Sequence, residues 1–588
     1  MQSLLRRPFL SQVRLAASVA CVLAALAAPR AAEACTSYLI TRGASVDGST
    51  MISYAADSHV RYGELYFRRG GTWPAGSRVA LRHRDDDRPL GEIPQAPRTY
   101  DVVGFMNENQ VAIGESTFGG REELRDPNGG IDYGSLMFLA MDRSRTAREA
   151  IRTIAELVAE HGYASTGESF SIGDPDEVWI MEIVGKGSDL VEDRKRKTKV
   201  NRDRGAVWVA VRVPDGHVSA HANHARITTF PLENGTTSIS SRSFEKLADP
   251  RVEVVYAHDV VDFARRKGYF AGRDEEFRFA DAYAPIDFGA ARFCEARVWS
   301  FFNGLCGGMD AWLDHAKGKD LAKRLPLSVK PDRKVSVADL MAAKRDHFDG
   351  TDLDMRRDAG AGPFGLPYRW RPLTFEHEGK TYLNERATAT QQTGFSFIAQ
   401  MRRWLPSPIG GILWFGVDDA ATSVYMPISC GITRVPASLA VGNGDLLTFS
   451  GTSAFWTFNK VANFAYLRYD RMSADVRRVQ QELEAKLLGQ VAAIDAAALA
   501  LHEKDPARAR EFLTDRASAV AAETVGRWEE LFRYLLVKYL DGNVKKERDG
   551  RFERNEWGFP KPPDHPGYPE SWKRRVVEDA GERLLHPK

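Results

Sequence analysis

One cysteine carries the sequence's most distinctive chemistry. Ala32-Glu33-Ala34 precedes Cys35. Small residues at the first and third of these positions are what a signal peptidase reads, so a cut after Ala34 makes Cys35 the first residue of the mature chain. A terminal cysteine holds a thiol and a free α-amine in one residue. The reference pKa of the amine is about 7.7–8.0 and that of the thiol about 8.5, so near neutral pH the amine is able to take the thiol proton. The thiolate then attacks a carbonyl carbon. No histidine partner is required, and no nearby Cys/His signature stands out. Inside the precursor the same nitrogen is an amide and cannot act as a base, so trimming doubles as activation. The bland alternative is a buried, inert cysteine at the start of a strand.

The segment ahead of Cys35 has the layout of an export signal. Arg6, Arg7 and Arg14 form a positive region, and Leu15 to Ala28 is an apolar, Ala-rich run broken by Pro29 and Arg30. That run is too short to span a bilayer. Arg6-Arg7-Pro8-Phe9-Leu10 resembles a twin-arginine motif, although paired Arg is also common in other signals. A lipoprotein signal fits poorly, because Ala32 stands where Leu is usual three residues before the Cys, and the charged Glu33 follows it. Export to the periplasm or the medium is expected. Losing residues 1–34, with four Arg and one Glu, turns the formal net charge from +2 to −1.

The rest of the chain must position this residue. With 81 Lys+Arg against 79 Asp+Glu and 43% hydrophobic residues in 588, the composition is that of a globular protein. The charge balance gives no reason to expect a nucleic-acid partner, and no later uncharged apolar run predicts a stable membrane span. Five cysteines are too few for a disulfide scaffold. Thr36 to Ile40 and Thr50 to Tyr54 read as strands around a turn at residues 43–48. Val102 to Met106 and Gln110 to Gly114 read as a hairpin around Asn107-Glu108-Asn109. Thr146 to Glu149 has capping-box spacing ahead of a helix that Gly162 stops. Glu177 to Val184, Ala206 to Val213 and His217 to Ala222 alternate as strands. Strands on both sides of a helix predict mixed α+β layers. The charged stretch Ser188 to Asp203 reads as a solvated loop. Residues 471–545 read as a helical appendage to a catalytic domain at 35–470, and residues 546–588 as a tail, extended over its five prolines from Pro560 to Pro569.

Several blocks, in order, resemble one family. Cys35-Thr36-Ser37-Tyr38, Gly43 to Met51 and Tyr54 to His59 resemble the opening of the dipeptidase A and secernin family of cysteine dipeptidases, within the N-terminal-nucleophile hydrolases. Gly104 to Glu108, Ile113 to Gly120, Arg212 to Gly216, His221 to Ile227, Ala361 to Gly365, Gln391 to Phe397 and Trp404 to Asp418 continue the resemblance, which spans about residues 35–480. It implies a four-layer αββα sandwich, hydrolysis of dipeptides through a thioester, and no metal or other cofactor. It also implies supporting residues. Asp57 matches the Asp of an Arg–Asp pair beside the nucleophile in related amidases, where the Arg position here is Tyr54. Asn223 matches an oxyanion-hole Asn, and Thr117 stands where a second donor would be.

Other residues carry weaker signals. His221 and His224 point to opposite faces of a strand and make a poor metal pair. Asp85-Asp86-Asp87 lacks the spacing of a calcium loop. Cys294 and Cys306 could pair outside the cytosol. Two alternatives stay open: an acylase of the same fold acting on a bile-salt or penicillin amide, and an exported binding protein without catalysis. Glu115 and Arg226 are candidates for a dipeptide terminus, with no pocket assigned to either. Side-chain preference and oligomeric state are not legible.

Overall fold

The computed structural model describes residues 34–193 and 198–587. The expected export signal falls on residues 1–33, outside the described residues, apart from Ala34 at the junction. In chain order the principal strands are β1 (Ala34–Ile40), β2 (Thr50–Asp57), β3 (Ala112–Gly119), β4 (Gly167–Gly173) and β5 (Val178–Gly185). They continue with β6 (Ala206–Arg212), β7 (Val218–His221), β8 (Thr393–Met401), β9 (Ile412–Val417) and β10 (Met426–Ser429). One sheet runs Ser328–Val329, β7, β1, β2, β8, β9, β10. The other runs Ser238–Ser240, Val254–Tyr256, β6, β5, β4, β3 and then three two-residue strands ending at Phe67–Arg68.

β1 and β2 pack against β3, β4 and β5, so the two sheets meet face to face. All eight residues of β2 and all nine of β8 are buried. Strands buried on both faces lose the polar-out alternation of a half-exposed sheet. At Gly114 a Cβ would lie 3.1 Å from the Cβ of Tyr54, so glycine lets the sheets approach beside that tyrosine.

Helices cover the outer faces. α1 (Tyr133–Arg143) and α2 (Ala147–His161) pack on the second sheet. The Thr146 hydroxyl accepts from Glu149 N at 3.2 Å, and Gly162, at φ 84°, ends α2. The Glu149 carboxylate reaches Arg145 N rather than the Thr146 N–H, so the capping box is incomplete by one residue. On the first sheet lie α3 (Ala296–Asn303), α4 (Val337–Ala343), α5 (Ala454–Ala465), α6 (Tyr469–His502) and α7 (Pro506–Lys538).

Residues Ala34–Lys588 form one compact unit. α7 packs on β10, and Glu484 of α6 pairs with Arg345 and accepts from Tyr425 N. The residues expected as an appendage are therefore joined to the same body. Residues 454–502 include a window apolar and long enough to cross a membrane. Asp495 within this run pairs with the buried Arg402, next to β8.

Three local expectations change. The ends of the expected loop pair as a ribbon, Leu190–Asp193 with Thr198–Asn201. The tail ends in a surface helix, Glu570–Ala580. Cys294 and Cys306 are not paired: Cys294 is buried, and the Cys306 thiol donates to Lys330 O.

Candidate active site

β1 places Cys35 between the sheet interface and the helices. Alternate residues of a strand point to opposite faces. On one face Cys35 and Ser37 meet β3: the Ser37 hydroxyl donates to Glu115 O at 3.2 Å. On the other, Tyr38 stacks on Phe301 of α3, with ring centroids 3.9 Å apart.

Cys35 is 2% exposed. Its Sγ lies 3.4 Å from Glu115 Oε1 and 3.5 Å from Tyr54 Oη, and that phenol donates to the same Glu115 oxygen at 2.5 Å. Burial and the neighbouring Cys35 and Glu115 push the Tyr54 phenol well above its ordinary pKa, which keeps it a proton donor. Glu168 stands opposite Thr117 in the β3–β4 register. Burial, and then the charge of Glu115, push its carboxyl far up.

The expected residues fall into two groups. Cys35 N donates to Asn223 Oδ1 at 2.9 Å, and Asn223 Nδ2 donates to Thr117 O at 2.7 Å. Cys35, Asn223 and Thr117 thus meet at one point. Asn223 has φ 58°, a left-handed backbone that Asn tolerates better than most residues. The Thr117 hydroxyl is given to Glu168 Oε1 at 2.8 Å, beside a bulge at Thr117–Gly119. Asp57 lies at the end of β2 and among the described residues makes no bond to the thiol. It accepts from Thr393 Oγ1 at 2.7 Å and pairs with Arg386 at 3.4 Å. The cation beside Asp57 is therefore Arg386, not a residue at position 54. Burial raises the Asp57 pKa and brings that of Arg386 down to about 9.

Two further cations hold the backbone of Cys35 and Thr36. Arg297 of α3, wholly buried, donates to Cys35 O at 2.8 Å, Thr36 Oγ1 at 2.7 Å and Asn223 Oδ1 at 2.9 Å. Lys344, just after α4, donates to Thr36 O and lies over the Tyr38 ring. Burial brings its pKa down to about 7 against the upward pull of Asp57 and Cys35.

The remaining candidates sit in structural roles. His221 bridges Ser116 and Ser171 at 2.6 and 2.7 Å, with burial pushing its pKa down to about 3. Arg226 pairs with Glu295 in the interior, and Asp85 pairs with Arg61. Among the described residues no cluster of His, Cys, Asp and Glu is arranged to hold a metal.

The sequence matches the model of peptidase family C69 over residues 78–482, a stretch that begins after Cys35 and Asp57. A probable dipeptidase A of Streptococcus pyogenes is 22% identical over 79% of this chain and 90% of its own length. A probable dipeptidase of Salmonella dublin is 23% identical over 68% of this chain and 81% of its length. Dipeptidase A of Lactobacillus helveticus is 22% identical over 68% of this chain and 76% of its length. With more than two thirds of its residues matched by the family model, the chain belongs to peptidase family C69, a family of peptide hydrolases.

Proposed function

We infer that the protein is an exported cysteine dipeptidase whose nucleophile is Cys35, exposed as the N-terminal residue when residues 1–34 are removed. One observation carries this: the nitrogen, carbonyl and sulfur of Cys35 are all held by buried groups, on Asn223, Arg297 and the Glu115–Tyr54 pair. A backbone nitrogen fixed there becomes, once freed, an amine on the same residue as the thiol. Sheets packed face to face with helices outside both are what a four-layer αββα N-terminal-nucleophile fold requires, so fold and chemistry belong to one proposal.

The α-amine takes the Sγ proton and the thiolate attacks the peptide carbonyl. The C–N bond then breaks, the leaving amine takes the proton from the α-ammonium, and the first residue stays as a thioester. Water, deprotonated by the same amine, attacks the thioester and frees the acid. Asn223 holds the amine through Oδ1. Its Nδ2 reaches the oxyanion by exchanging Thr117 O for the substrate oxygen. Thr117 supports that turn, and Asp57 keeps Arg386 beside the site.

A panel of free dipeptides, with a bile-salt and a penicillin amide beside them, tests this. Dipeptide hydrolysis lost in Cys35→Ser is the expected result. Hydrolysis of the amides alone would make the protein an acylase. Undiminished turnover by Cys35→Ser would remove Cys35 as nucleophile, and no hydrolysis of any amide would favour a binding protein.

A further inference from the structure

A cavity of about 680 Å³ lies between the hairpin of Arg78–Arg82 and Pro89–Pro94 and the start of α1. The other ionisable groups lining it have partners: Arg61 pairs with Asp85, Arg82 with Asp87 and His83 with Asp86, while Arg68 reaches Asp142. Arg84 lines it too, and no carboxylate pairs with its side chain among the described residues. The fold nevertheless fixes Arg84 along its whole length. Its backbone N–H donates to Asp132 Oδ2 at 2.7 Å, and its carbonyl accepts from Arg61 Nη1 at 2.6 Å. Its stem lies on Gly134, where a Cβ would stand 2.6 Å from the Cβ of Arg84. Its guanidinium carbon is 5.4 Å from the ring centre of Phe138, 5.6 Å from that of Tyr66 and 6.0 Å from that of Phe105. Rings take the faces of a guanidinium, whereas its N–H donors lie in the plane and point out at the edge. A fixed fork of donors with no acid of its own suits a carboxylate brought by a ligand.

The cavity adjoins the nucleophile. The Phe105 ring that Arg84 covers lies 5.7 Å from the Tyr54 ring, whose phenol is 3.5 Å from the Cys35 sulfur. The Tyr133 phenol joins Arg61 to Asp85, and Tyr133 and Asp85 are close enough to raise the pKa of Tyr54 and of Glu168 respectively. Resting on the dipeptidase reading above, we propose that this cavity receives an acidic side chain of the dipeptide, glutamate ahead of aspartate, and that Arg84 selects it. Reach favours a side chain over the main-chain terminus. The attacked carbonyl carbon sits roughly 3–3.5 Å from sulfur. The α-carboxylate of a dipeptide is three bonds from that carbon and a glutamate side-chain carboxylate four or five, each extended bond adding roughly 1.2 Å. Two rings, Tyr54 and Phe105, stand between the sulfur and Arg84, so the longer arm fits. Glutamine has the same shape but offers the fork an uncharged acceptor, and charge-assisted bonds are roughly twice as strong as neutral ones.

The test follows two pairs on the trimmed enzyme, Ala-Glu against Ala-Gln and Glu-Ala against Gln-Ala. The expected kcat/KM favours the acidic member of one pair by at least about 10-fold, chiefly through KM. Arg84→Met keeps the stem over Gly134 and removes the charge; it is expected to bring that ratio to within about twofold of one. Arg84→Lys, which keeps the charge without the planar fork, is expected to retain an intermediate ratio. An unaltered enzyme that distinguishes neither pair overturns the proposal, as does a ratio unmoved by Arg84→Met in a protein of unchanged circular dichroism. Ala-Ala against its C-terminal amide separates the two sources of a carboxylate. A discrimination that Arg84→Met abolishes on this pair, and not on the Glu/Gln pairs, would give Arg84 to the main-chain terminus and overturn the proposal. Cys35→Ser separates the two claims. If dipeptides are cleaved, and only by the protein carrying Cys35, the dipeptidase reading stands whatever the side-chain preference. If no dipeptide is cleaved, both fall.

Discussion

The two faces of β1 make opposite electrostatic environments around one residue. Toward the sheet interface, the Cys35 sulfur meets Glu115 and Tyr54, with Glu168 behind them. Toward the helices, the backbone of Cys35 and Thr36 is held by Arg297 and Lys344, with Arg386 on Asp57 close by. Two unit charges about 4–6 Å apart at an effective dielectric near 20 interact by roughly 3–4 kcal/mol. Neither face is therefore negligible. The acidic face opposes ionisation of the thiol, whereas the basic face favours the thiolate and fixes the strand.

The sharpest way to break this comparison is at Asn223, which ties the two faces through Cys35 N, Arg297 and Thr117. Asn223→Ala is expected to lower kcat on a dipeptide by about 10²–10³, the range for losing one oxyanion donor. A fall of less than about threefold would take Asn223 out of the reaction. On the basic face, Arg297→Met leaves buried acceptors on Cys35, Thr36 and Asn223 without their charged donor. Urea denaturation is expected to show a loss of about 3 kcal/mol, with activity falling in parallel. Unchanged stability would mean that the basic face does not hold the strand.

Asp418, just after β9, sharpens the comparison with a buried acid outside both faces. Asn459 Nδ2 donates to its Oδ1 at 2.9 Å, and burial pushes its pKa up to about 8. A carboxyl with a folded pKa above its unfolded value costs nothing below about pH 4, where both states are protonated. The cost grows as pH rises from there toward 8. Asp418→Asn, at a φ of 63° that Asn adopts readily, is expected to raise Tm by a few degrees at pH 8 and by less at pH 5. An equal shift at both pH values would contradict the assignment of the cost to ionisation.

Much of this frame was legible in the residues. The strand at Thr36 to Ile40, the helix behind Thr146 and the cysteine after Ala34 follow from local pattern and chemistry. β1 extends two residues before the expected start, and Cys35 pairs with Ala56 within the sheet. The cations were not legible. Arg297 lies 262 residues from Cys35 and Lys344 lies 308 from Thr36. Periodicity records which face of a helix is buried, not which distant backbone its arginine reaches. Glu115 stood out as a candidate for a substrate terminus without a place, because its partners Tyr54 and Cys35 come from two strands of the other sheet. Glu168, in a strand unmarked by any motif, gave no signal at all. The two long helices read as an addition because an amphipathic stripe does not say what covers it.

The central claim is that the working nucleophile and its base share one terminal residue. The most direct measurement takes the protein trimmed to Cys35, verified by intact mass, and the same protein with residues 1–34 retained, and follows dipeptide hydrolysis by both. The expected result is turnover by the trimmed chain alone. Equal turnover by the chain that still carries residues ahead of Cys35 would contradict it.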